Sequence, residues 1–108
     1  MIDYKAIISK YCAGNTELLH ILLTHSRQVA DRALTILAAH PEWVESGEVD
    51  PVFVEEAAML HDIGVVLCDA PKIHCLGTHA YIEHGYLGAE ILRQEGLPKH
   101  AQVAERHT

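Results

Sequence analysis

The sequence predicts an all-α fold, a bundle of about five helices. Apolar residues recur at helical spacing through several long stretches. The composition is 49% hydrophobic but only 6% aromatic, so the core must be mostly Leu, Ile, Val and Ala, which suits packed helices. Asn, Asp, Thr, Pro and Gly punctuate the stretches where helices would start and stop. At 108 residues the chain is read as one domain, 1–108.

Taken in order, Asp3 is expected to cap a short first helix that ends near Cys12-Ala13-Gly14-Asn15. Asn15 or Thr16 then starts a long helix through about Ala39, closed by His40-Pro41. Its apolar stripe runs Leu18, Leu22, Val29, Ala33, Leu37. Glu42 to Asp50 reads as a polar connection. Asp50-Pro51 is an N-cap and first-turn pair for a helix through His61, with Gly64 as its stop. Ile63 to Thr78 reads as mostly irregular, with Val65-Val66-Leu67 as a short extended piece. A loop that long usually has a job. Thr78 is expected to cap a helix of roughly His79 to Glu95, stopped by Gly96. Leu97-Pro98 opens a last helix, which carries no stop signal before Thr108, so further C-terminal helices are expected beyond it.

The net charge of −7 and the lack of a Lys/Arg cluster argue against a duplex nucleic-acid binder. They leave room for a small phosphorylated substrate, because a bound cation would reverse the local potential. Cys12, Cys68 and Cys75 are an odd set without Cys-x-x-Cys spacing, which argues against a disulfide framework or structural zinc. No signal-peptide pattern or membrane-length apolar run is visible, so a cytoplasmic protein is expected, with no membrane partner.

The chemistry centres on His61-Asp62, an imidazole and a carboxylate at the end of an apolar run. A carboxylate leaving such a run needs a partner, and a divalent cation, a cap, an arginine or solvent could each serve. With nine His and five Asp, chance alone supplies about 0.4 His-Asp pairs, so the neighbours must carry the case. Helical phase sorts the histidines. His25, His61, His84 and His107 each fall on the apolar face of a different helix. His20 lies round the far side of its helix, and His40 and His74 fall in connections. His100 shares the face of Val103 and His107, and phase does not exclude it. Each imidazole alone reads as a core histidine bonded to a backbone carbonyl. Four together, one beside an aspartate, read as a shared metal site in a bundle core.

These segments resemble the HD-domain superfamily of metal-dependent phosphohydrolases. Ala58-Met59-Leu60-His61-Asp62-Ile63-Gly64 is similar to its signature, in the His-Asp-Ile-Gly form. Thr24-His25-Ser26-Arg27-Gln28-Val29-Ala30 resembles the upstream first-histidine helix, and His84-Gly85-Tyr86-Leu87-Gly88-Ala89-Glu90 the third-histidine segment. Ala104-Glu105-Arg106-His107-Thr108 resembles the fourth. His61, His84 and His107 follow one another at intervals of 23 residues. The order is also similar to the dinuclear branch that includes bacterial dinucleoside tetraphosphate hydrolases.

The resemblance implies an HD-like helical bundle with two divalent transition-metal ions, iron, manganese, zinc or nickel. His25, His61 and Asp62 would hold one ion, and Asp62 would bridge to a second held by His84 and His107. Asp62 and His61 would be the catalytic pair. Water activated between the metals would attack a phosphate ester or anhydride of a nucleotide or related small molecule. Two departures stand out. The family closes the first site with an aspartate on a later helix, and this chain has no Asp after Asp69. The chain is therefore read as shortened, with activity expected of the longer protein and open for this piece. A partner chain, as in a homodimer, is another source of that carboxylate. Relatives also place Lys soon after the signature glycine, where this chain has Val65-Val66, so a phosphate contact would fall to Arg27, Lys72 or Arg106. Two rival readings remain: a non-catalytic HD-like module that binds a nucleotide or a protein, and a plain helical bundle.

Overall fold

The computed structural model describes residues 1–107. Six α-helices carry the fold: α1 (Tyr4–Cys12), α2 (Thr16–Ala38), α3 (Pro41–Glu45), α4 (Pro51–Leu60), α5 (His84–Gln94) and α6 (Pro98–Arg106). Between α4 and α5 the chain makes three 3-10 turns, Ile63–Leu67, Pro71–Ile73 and Tyr81–Glu83. It also forms a two-residue hairpin of β1 (Asp69–Ala70) and β2 (Cys75–Leu76), antiparallel, with Asp69 opposite Leu76. The all-α expectation holds, with one short helix more than expected.

The caps explain the starts. The Asp3 carboxylate accepts from the Ala6 amide, Asn15 from Leu18, and Asp50 from Val52 with Pro51 in the first turn. Asn15 also donates its amide to the His74 carbonyl, tying the start of α2 to the long connection. Helix α2 packs along α4, α5 along α6, and the turn Ile63–Leu67 lies on α5. The core gathers Ile8, Leu22, Met59, Leu60, Ile63 and Leu92 from five of these segments. Small residues Ala30, Ala89, Ala101 and Ala104 are fully buried and let the helices approach closely. Among the described residues no helix is long and apolar enough to cross a membrane.

Three expectations are corrected. Val65-Val66-Leu67 is a 3-10 turn, not an extended piece, because Ile63, Gly64 and Val65 must all be buried against α5, which alternation would not allow. The last long helix starts at His84, five residues later than His79, after the separate turn Tyr81–Glu83. The polar connection after Pro41 holds the helix α3. Trp43 of α3 is 37% exposed and stacks on His40, ring centroids 4.0 Å apart.

Candidate metal centre

Three of the four inward histidines stand just beyond or at the start of a helix, each braced by the carbonyl three residues back. His61 Nδ1–H donates to Ala58 and His107 Nδ1–H to Ala104, as the end residues of α4 and α6. His84, the first residue of α5, donates Nδ1–H to Tyr81 at 2.7 Å. A carbonyl acceptor requires the proton on Nδ1, which leaves Nε2 as the free donor atom on each ring. All three Nε2 atoms, with that of His25, converge on Asp62.

The Asp62 carboxylate divides them evenly. Oδ2 lies 2.9 Å from His25 Nε2 and 3.2 Å from His61 Nε2. Oδ1 lies 2.9 Å from His107 Nε2 and 3.3 Å from His84 Nε2. His84 Nε2 and His107 Nε2 are themselves 3.0 Å apart. Two groups of three that could hold a metal result, His25–His61–Asp62 and Asp62–His84–His107, sharing the aspartate.

The donor set fits a cation. With Nδ1 protonated, neutral rings aim lone pairs at an ionised carboxylate and at each other, and these contacts repel unless positive charge lies between them. Without an ion, burial would raise the Asp62 carboxyl, but the hydrogen bond that His61 donates once its ring is doubly protonated, and the charge of the neighbouring imidazoles, outweigh it and hold the group far below the carboxylate range. Burial would lower His61, yet Asp62 and the Ala58 carbonyl raise it. Both directions favour positive charge at this point. A metal ion supplies it without crowding protonated rings together.

His25 is the exception in position. Its side chain is 51% exposed, so it rims the centre instead of lying in the core, and the buried stripe of α2 passes through Ser26 and Ala30 beside it. His100 is settled away from the centre: its Nε2 meets Glu56 Oε1 at 2.9 Å. His20 is exposed. His40 pairs with Glu42 and His79 with Glu83, so Glu83 does not brace His84. Of the three basic candidates, Arg27 is engaged elsewhere, with Asp31 at 2.9 Å and the Tyr4 hydroxyl at 3.3 Å. Lys72 is exposed on the turn Pro71–Ile73. Arg106 lines an open cavity beside His107 with Lys99 and Gln102. The cysteines are free and buried, and burial first of all pushes their thiols up, which makes them inert small hydrophobes.

Sequence reasoning treated Gly64 as a helix stop. Its place is steric. A Cβ at Gly64 would stand 1.9 Å from the His84 carbonyl oxygen and 2.5 Å from the Gly88 nitrogen. The bare backbone of residue 64 is what lets Asp62 approach His84. The small residues after His84 were the visible signal of that contact, with Gly88 directly opposite.

A family model described as the HD domain matches residues 22–108, which includes all five of these side chains. An uncharacterized protein of Methanocaldococcus jannaschii is 34% identical over 103 residues, spanning 94% of this chain and 50% of that protein. The chain thus spans about half the length of this relative. No solved structure matches it. With the signature pair, the helical fold and a match over most of its length, the chain belongs to the HD domain family.

Proposed function

We propose that this chain is the metal-holding part of a metal-dependent phosphohydrolase that acts on a phosphate ester or anhydride of a nucleotide or related small molecule. The observation that carries the reading is the single carboxylate of Asp62 shared between two pairs of imidazoles. In this reading His25, His61 and Asp62 hold one divalent transition ion, and Asp62, His84 and His107 the other. When bound, such ions lower the pKa of water and neutralise charge on phosphoryl oxygens. The chain's own contribution is to orient the donors. The carbonyls of Ala58, Tyr81 and Ala104 fix three ring planes, and the Gly64 contact fixes Asp62 against α5. Lys99 and Arg106, beside His107, supply positive charge where an anionic substrate group would approach.

The test is metal content by elemental analysis of the purified protein, followed by phosphate release from a panel of nucleotides and small phosphate esters. Close to two ions per chain, lost together in Asp62→Ala, with metal-dependent release, is expected. Full metal content in both His61→Ala and Asp62→Ala would sink the reading. A non-catalytic HD-like module is the second reading. It is favoured by the first group's having only three donors among the described residues. It predicts tight phosphate or nucleotide binding with no turnover at any metal loading.

A further inference from the structure

Two cavities border residues of the candidate metal centre, and their linings differ in kind. The one beside His107 carries Lys99 and Arg106. The other, about 240 Å³, includes Asp62 and His25 in its lining. Its walls are Leu18, Ile21 and Leu22 of α2, with Val65, Ile73 and Tyr81 across from them. No Lys or Arg lines it. Arg27, on the same helix as His25, is held by Asp31 and Tyr4. Apart from the two candidate ligands, the Tyr81 hydroxyl is the only side-chain polar group in the lining.

We infer that this second cavity is the specificity pocket for the organic part of the substrate, and that it selects a compact apolar group, an aryl or branched alkyl ester, over a polyphosphate chain. The inference rests on the phosphohydrolase reading above. A phosphate placed at Asp62 has its ester group within reach of the apolar walls of this cavity. An anionic chain in the apolar cavity would lose its hydration with no cation to replace it. A ring-sized apolar group would instead displace water from Leu, Ile and Val surfaces. The volume suits a group of that size, below the roughly 300–1,000 Å³ of pockets that enclose a whole drug-sized ligand. Tyr81 links pocket and centre. Its ring lies 4.5 Å from that of His84 at 32°, and its carbonyl braces His84 Nδ1. A group seated on the Tyr81 ring is thereby held in register with the His84 donor.

The test compares two phosphonates with the same head group and no ester bond to break. Zinc-loaded full chain is titrated calorimetrically with methylphosphonate and phenylphosphonate. Phenylphosphonate should bind at least about tenfold tighter, from the apolar area it buries. Ile73→Asp, on a short surface turn, and Ile21→Asp should each bring the ratio near one. Zinc content and helical circular dichroism should stay unchanged. Equal binding of the two phosphonates by the unaltered chain, or a preference kept in both variants, would overturn the pocket assignment and leave the phosphohydrolase reading standing. Binding of neither phosphonate would overturn both.

Discussion

A methyl group at position 64 would overlap the His84 carbonyl oxygen, and neither partner is a side chain that can swing aside. Gly64→Ala should therefore force the turn Ile63–Leu67 away from α5. The expected cost is about 3 kcal/mol by chemical denaturation, the upper range for overpacking, with metal content falling in parallel because Asp62 moves with the turn. His25 should behave in the opposite way. It is half exposed, so His25→Ala should change the stability of the metal-free chain by less than about 1 kcal/mol while removing one of the two ions, read by elemental analysis. The contrast shows what a single sequence can convey at this scale. Phase put His61, His84 and His107 on inward faces because their neighbours at three and four residues are apolar. The same rule placed His25 deeper than it is, because rim and core share a helical face over one turn. Gly64 left no mark at its own position, since its clash is with a backbone 20 residues later, and the sign of it lay in the small residues that follow His84.

At the scale of elements, the helix carrying His107 is held at its other end by a buried acid. Glu56 of α4 accepts from the Ile2 amide at 2.9 Å and meets His100 of α6 at 2.9 Å, with Phe53 packed on the His100 ring. Burial would raise the Glu56 carboxyl, but the His100 hydrogen bond and the Ile2 amide outweigh it and hold it below its ordinary 4.5. A carboxyl depressed on folding contributes stability that is complete above its unfolded value and is lost as pH falls through the folded one. Glu56→Gln should cost about 1–2 kcal/mol at pH 7, and the difference from the parent should shrink towards zero in acid, followed by urea denaturation across pH. Helix existence was readable from periodicity and caps such as Asn15 and Asp50, whose signals are local. The stretch 63–83 was not. Its three 3-10 turns and hairpin answer to burial against α5 and to the Gly77 backbone, where a Cβ would stand 2.2 Å from the Leu67 carbonyl carbon.

On the scale of the molecule, the candidate ligands come from α2, the junction after α4, the first residue of α5 and the residue that caps α6. A pair of ions there would cross-link the two helix pairs, α2 with α4 and α5 with α6, through one carboxylate. Chelation should lower the thermal midpoint by several degrees, as for any ligand bound to the folded state alone, and readdition of zinc or manganese should restore it. A midpoint that ignores chelator in a metal-containing preparation would contradict the cross-link. The braced imidazoles carry one more consequence, a spectroscopic one. Because the Nδ1 protons of His61, His84 and His107 are tied to Ala58, Tyr81 and Ala104, all three rings keep one tautomer with or without metal. Three slowly exchanging imidazole N–H resonances should therefore survive in the chelated protein, and ion capture should proceed with little loss of side-chain entropy.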